Sequence, residues 1–196
     1  MPKPAKPVKK TAPSAVWKLA PVILFLAVVF VYSPSLQNDF IYDDVEIILA
    51  HQAPRDAGEW ARIFQERHFP NLPYYRPVTR LTLLAQKSLH GDVAMPFHAF
   101  NALLMGGAAL LAYAILLLPV FAIPRVSALL ASAMFALHPA ASSCVYPISS
   151  GRETLLPAVW MLGAVYAYLR GWRTVAMLAF AGALFSKEQA IMTPAL

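Results

Sequence analysis

Apolar runs and short charged breaks alternate along this chain. Trp17 to Leu36 is a nearly unbroken apolar segment of about 20 residues, enough to cross roughly 30 Å of hydrocarbon. Met95 to Leu118 is a second such segment, closed by Pro119. Shorter apolar runs follow at Val126–Leu137, Leu155–Leu169 and Thr174–Phe185, and another begins after Ser186-Lys187-Glu188. The pattern predicts spans over about 17–36, 95–118, 126–138, 153–169 and 174–185, with the start of another at 189–196. Val126–Leu137 would reach only about 18 Å at helical rise, so it either continues past His138-Pro139 or stops inside the membrane.

The one long polar stretch, 37–94, contains eight of the ten acidic residues. Within it, Pro54–Arg67 sets Trp60, Ile63, Phe64 and Arg67 at helical spacing, and Pro77–Leu89 sets Val78, Leu81, Ala85 and Leu89 on one side. Both read as amphipathic helices lying along the membrane surface. The expected fold class is therefore an all-α polytopic membrane protein: a transmembrane helix bundle with amphipathic helices in its first outer loop.

Composition agrees with that pattern. Hydrophobic residues make up 59% of the chain and charged ones 13%, and the mean hydropathy is +0.55, far above a soluble domain. The net charge of +6 is too unevenly distributed to indicate nucleic acid and instead reports topology. Residues 1–16 hold four lysines and four prolines and predict a disordered basic tail. No small-x-small cleavage pattern closes the first apolar run, so it reads as an uncleaved signal-anchor with the tail in the cytoplasm. Alternating the spans from there places all ten acidic residues and all five histidines on the outer side. The inner segments keep Lys3, Lys6, Lys9, Lys10, Lys18, Arg125, Arg170 and Arg173 and no acid. The single cysteine, Cys144, excludes an intramolecular disulfide. Because the chain stops within an apolar stretch, it is expected to be an N-terminal fragment.

On the outer face, Asp43, Asp44, Arg76, His98, His138, Arg152, Glu153, Lys187 and Glu188 converge, several at the ends of short helices. They could line a polar cavity suited to a substrate with a lipid tail and an anionic head. In Tyr75-Arg76-Pro77 the proline fixes the arginine at a bend, where it either forks two phosphate oxygens or snorkels to headgroups. Lys187-Glu188 reads equally as a phosphate-binding pair or an interfacial ion pair. Glu153 suits the positive end of a helix, His98 and Asn101 suit interhelical hydrogen bonds, and His138-Pro139 suits a helix end. Asp43-Asp44 is either a turn or cap, or a working carboxylate beside an orienting one. No known metal-ligand spacing appears, so no cofactor is assigned and a divalent cation is left open.

Six motifs recur in one order: Tyr42-Asp43-Asp44; Tyr75-Arg76-Pro77-Val78-Thr79-Arg80-Leu81-Thr82; Phe97-His98-x-x-Asn101; Phe135-Ala136-Leu137-His138-Pro139; Gly151-Arg152-Glu153-Thr154-Leu155-Leu156; and Ser186-Lys187-Glu188. This order resembles the transmembrane-and-TPR-containing O-mannosyltransferases and their bacterial relatives, in the GT-C glycosyltransferase superfamily, over roughly residues 17–196. The chain departs from it at His138-Pro139-Ala140-Ala141-Ser142-Ser143, where relatives often carry a second histidine and a glutamate. The resemblance implies a many-helix membrane enzyme that takes a sugar, mannose or another hexose, from a polyprenyl-phosphate donor. The sugar goes to a protein Ser or Thr hydroxyl on the periplasmic or lumenal side, here of a bacterial inner membrane.

By that resemblance an acid of the first outer loop is catalytic. Asp43 is then the expected base, with Asp44 as its alternate or orienting group. Arg76, Arg152 and Lys187 would stabilise the leaving phosphate, and Tyr75, His98, His138, Glu153 and Glu188 would support substrate or structure. Two rival classes are a non-catalytic scaffold of the same fold and a transporter or flippase of lipid-linked sugars. Acids confined to one face favour chemistry over passage.

Overall fold

The computed structural model describes residues 15–69 and 72–195. Most of the expected basic tail, residues 1–14, lies outside them. Among the described residues the regular structure is all helical, with no strand: α1 Ala15–Val31, α2 Ala57–Arg62, α3 Pro77–His90, α4 Ala94–Leu116, α5 Arg125–Leu137, α6 Ser149–Leu169 and α7 Arg173–Ser186. Three 3₁₀ segments, Ser33–Gln37, Pro139–Cys144 and Glu188–Ala195, and one π turn, Val45–Leu49, complete the order.

The centre of the bundle is α4. It is apolar nearly all round and packs on α1, α5 and α6, as expected of a helix with no polar face to hydrate. Against it α1 presents Ala20, Leu24 and Val28, and Tyr32 just past its end continues the row, one residue every fourth position, all buried. Gly106 of α4 permits this contact, since a Cβ there would stand 2.7 Å from the Phe25 ring. Tyr32 Oη then donates to Ala136 O at 2.7 Å and ties α1 to α5.

The opposite faces are apolar and exposed: Leu19, Ile23, Leu26 and Phe30 on α1, Val126, Leu130 and Met134 on α5, Met177 and Leu178 on α7. Contiguous apolar surface of this kind marks a membrane or protein contact. Two helices, Trp17–Gln37 and Ala94–Leu116, are long and apolar enough to cross a bilayer. At 13 residues α5 is shorter. It stops at His138, whose extended backbone precedes Pro139, and the chain continues as 3₁₀ helix instead of extending the span. The segment from Glu188 likewise takes 3₁₀ form.

The polar stretch 37–94 departs from expectation in two ways. Only Ala57–Arg62 of the first amphipathic segment is helical, capped by Asp56, whose Oδ1 accepts from Glu59 N at 2.8 Å. The second, α3, buries charge as well as its apolar stripe: it packs among α4, α6 and α7 with Arg80 and Lys87 buried beside Thr79, Leu83 and Leu84. Those two charges can be buried because each has an acid at hand: Arg80 pairs with Glu66 at 2.6 Å and Lys87 with Asp92 at 2.8 Å.

Candidate functional site

The starts of α3, α4 and α6 and the end of α7 meet at one end of the bundle, and the segment 39–49 is laid across them. Its anchor is apolar: Ile47 and Ile48 are buried with Leu83, Phe97 and Ile148, and Phe40 meets the Phe97 ring edge-on at 5.5 Å. Lys87 Nζ donates to Ile48 O at 2.8 Å, serving a carbonyl at the end of the π turn. Asp44 supplies the second tie. It is 2% exposed, and its Oδ1 accepts from Ser149 N at 2.7 Å while its Oδ2 accepts from Ile41 N at 3.1 Å. A carboxylate from a distant loop thus caps α6, whose own Ile148 has no side-chain oxygen to do so.

Both oxygens of Asp44 are therefore spent on backbone N–H groups. Its neighbour Asp43 is exposed, and its side chain has no hydrogen bond or ion pair among the described residues. It sits between Tyr42, held at a left-handed φ of 48°, and the π turn at Val45. A non-glycine residue at positive φ is strained, and both features concentrate at functional sites.

Behind this segment lie two polar clusters, the first buried except at Glu188 and the second buried around its central arginine. In the first, Arg76 bridges two carboxylates: Nη1 to Glu153 Oε2 at 2.6 Å, and Nη2 and Nε to Glu188 Oε1 and Oε2 at 2.6 and 3.0 Å. The Tyr74 ring stacks 4.5 Å from its guanidinium carbon. His68 Nε2 shares a 2.6 Å hydrogen bond with the other oxygen of Glu153. Burial alone would lower the Arg76 guanidinium, but the hydrogen bond to Glu188 and the charges of both acids outweigh it and raise it above its ordinary value. The same hydrogen bond holds Glu188 below the ordinary carboxylate range, against desolvation.

The second cluster surrounds Arg152, which is fully buried. No acid faces it. Nε donates to Asn101 Oδ1 at 2.8 Å, Nη2 to Gln86 Oε1 at 2.6 Å and Nη1 to Thr82 Oγ1 at 3.2 Å, over the Phe100 ring at 4.2 Å. Asn101 Nδ2 donates in turn to Pro147 O and Ile148 O, each at 3.0 Å. Gly151 makes room for this, because a Cβ there would lie 2.6 Å from Cys144 O and 2.8 Å from Asn101 Nδ2. Arg152, expected to contact phosphate, thus fastens α6 to α3 and α4 with its guanidinium wholly buried.

The remaining expected residues are dispersed. Lys187, half-buried at the end of α7, has no ion pair among the described residues. Tyr75 Oη donates to Phe64 O at 2.7 Å. His138 is exposed, and its Nδ1 accepts from Ala140 N at 3.2 Å. His98 is wholly buried, with neither ring nitrogen hydrogen-bonded. The structure brings Arg76, Glu153 and Glu188 together, with Arg152 one residue from Glu153 but turned into its own cluster. His68 and Gln86 were not foreseen, and no local spacing distinguishes them from ordinary loop and helix-surface residues; Thr82 stood in a motif but was given no role. Among the described residues no group of three His, Cys, Asp or Glu side chains is placed to hold a metal ion.

Comparison with known proteins points to a class: the chain is distantly related to protein O-mannosyltransferases. The relatives are protein O-mannosyl-transferase TMTC4 of Homo sapiens and its counterpart of Mus musculus. Each is 30% identical over 167 residues, covering 72% of this chain and 22% of the relative. The chain therefore spans about a fifth of the length of the curated relatives it matches. No family model matches it, and no solved structure matches it significantly.

Proposed function

We propose that this chain carries the carboxylate-bearing part of a GT-C-type membrane glycosyltransferase. The enzyme moves a hexose, mannose foremost, from a polyprenyl-phosphate donor to a protein Ser or Thr hydroxyl on the non-cytoplasmic face. The observation that carries this reading is the division of labour in Asp43-Asp44: Asp44 is consumed by Ser149 N and Ile41 N, which holds Asp43 free and exposed on a strained backbone. The distant relationship to O-mannosyltransferases supplies the reaction class.

In this reading the acceptor hydroxyl attacks the anomeric carbon. The new C–O bond forms as the bond to the donor phosphate breaks, and the hydroxyl proton passes to Asp43. Polyprenyl phosphate departs with its electron pair, and a single displacement inverts the centre. Negative charge gathers on the phosphate, where Lys187 is a cation of this end without a carboxylate partner among the described residues and Arg76 contributes at longer range through its paired network. Arg152 acts by fixing the start of α6, against which Asp44 and hence Asp43 are set.

The test is transfer of radiolabelled sugar from a polyprenyl-phosphate donor to an acceptor protein by the full-length gene product in membranes. Asp43→Asn should abolish transfer with the folded protein retained. Undiminished transfer by that variant would remove Asp43 as the base. Lys187→Ala should raise the donor concentration needed for half-maximal rate, and an unchanged value would remove its phosphate role.

A further inference from the structure

The other end of the bundle has no part in that chemistry. With 21 residues, α6 carries the chain about 30 Å from Ser149 before Arg170-Gly171-Trp172 turns it into α7. There a crevice of about 530 Å³ is walled by Phe121, Ala164, Val165, Ala176, Met177 and Pro194. That is the size of an ordinary ligand pocket. Arg173, the first residue of α7, also lines it and lies at its edge along the helix. Thr193, in the wall as well, spends its hydroxyl on Ala190 O at 2.6 Å.

Charge at this end is one-sided. Arg125 opens α5, Arg170 follows α6 and Arg173 opens α7, while the sequence has no acid between Asp92 and Glu153 or between Glu153 and Glu188. None of the three guanidinium groups is paired with a carboxylate among the described residues. Arg170 stacks over the Trp172 ring at 5.4 Å, and Trp172 meets Tyr166 edge-on at 6.1 Å. Trp172 and Tyr168 are themselves largely exposed, the arrangement aromatic residues take at a bilayer interface. That stacking leaves Arg173 as the cation beside the apolar crevice.

We infer that this crevice holds an anionic phospholipid, its acyl chain against Ala164, Ala176 and Met177 and its headgroup phosphate on Arg173. A zwitterionic lipid already compensates its phosphate with its own amine, so the unpaired guanidinium favours a net negative headgroup. The inference rests on the membrane placement of the bundle.

The full chain would be purified in detergent and offered phosphatidylglycerol and phosphatidylcholine with identical acyl chains, retained lipid being counted by native mass spectrometry. Phosphatidylglycerol should be retained about fivefold over phosphatidylcholine, the effect of one basic residue at an anionic surface. Arg173→Gln, a change at an exposed side chain, should bring the two lipids to parity, whereas Arg125→Gln should keep the preference. Met177→Gln, a change at an exposed side chain that removes apolar surface from the crevice wall, should lower retention of both lipids at an unchanged melting temperature. Equal retention by the parent chain, or a preference lost as fully in Arg125→Gln as in Arg173→Gln, would overturn the site. Alkaline carbonate extraction separates the two failures. A chain released by carbonate loses the membrane placement and the lipid site together, whereas a chain that resists extraction without lipid preference loses only the site.

Discussion

The contrast between two neighbouring aspartates gives the sharpest test of this structure. In Asp44→Asn the shape of the side chain is kept but one oxygen becomes an NH₂ group. Asp44 uses each oxygen on a different backbone N–H, at 2.7 Å to Ser149 N and 3.1 Å to Ile41 N, so asparagine can serve only one of them. Its amide nitrogen must then face the other N–H, donor against donor. The variant loses one charge-assisted hydrogen bond, about 1.5–3 kcal/mol. It also loses the negative charge at the start of α6, a further ~0.3–1 kcal/mol. The sum, about 2–4 kcal/mol, corresponds to a melting temperature roughly 5–15 °C lower for a chain of this size. The four tryptophans allow unfolding in detergent to be followed by intrinsic fluorescence. Asp43→Asn has no bond to lose and should melt with the parent, while sugar transfer falls on the order of 100-fold or more. If Asp44→Asn melted with the parent, or if the two variants lost stability alike, the division of labour between the carboxylates would be refuted.

Three other outcomes follow from the clusters behind the aspartates. Arg152→Lys keeps a buried charge but cannot reach Asn101, Gln86 and Thr82 at once, so stability should drop by about 2–5 kcal/mol, read as a shifted thermal transition. Gly151→Ala would drive a methyl group against the Cys144 carbonyl and Asn101, costing about 1–3 kcal/mol, whereas Gly163→Ala, with open space around it, should melt with the parent. Glu188 is held below its ordinary range by Arg76, so its contribution is present above that range and is lost as pH falls through the lower, folded-state value. Melting temperature should therefore fall more steeply with acidification in the parent than in Glu188→Gln, and equal slopes would show that the pair contributes no stability.

How much of this protein was legible beforehand depended on the range of the interaction involved. Helices occupy the long apolar runs because hydropathy over 15 to 25 consecutive residues is a local property, and no tertiary contact is needed to make Trp17–Leu36 or Met95–Leu118 apolar. Asp43-Asp44 stood out for the same local reason, two acids beside an apolar segment. Helix ends were partly legible too, since His138-Pro139 stops α5 by a rule that acts between adjacent residues.

What only the tertiary structure decided was which charges are used internally. Arg152 and Asn101 are 51 residues apart in sequence, Asp44 and Ser149 105, and Arg76 and Glu188 112, so no spacing rule could pair them. Arg80 and Lys87 of α3 likewise resemble a solvated face until the chain folds Glu66 and Asp92 against them. Sequence alone thus determined where the chain is apolar enough to form helices and which end of the bundle collects the acids. Packing determined that the Asp44 and Arg152 side chains are hydrogen-bonded within the bundle while the Asp43 side chain has no partner among the described residues, because a polar group's availability depends on the partners brought to it by helices remote in the chain.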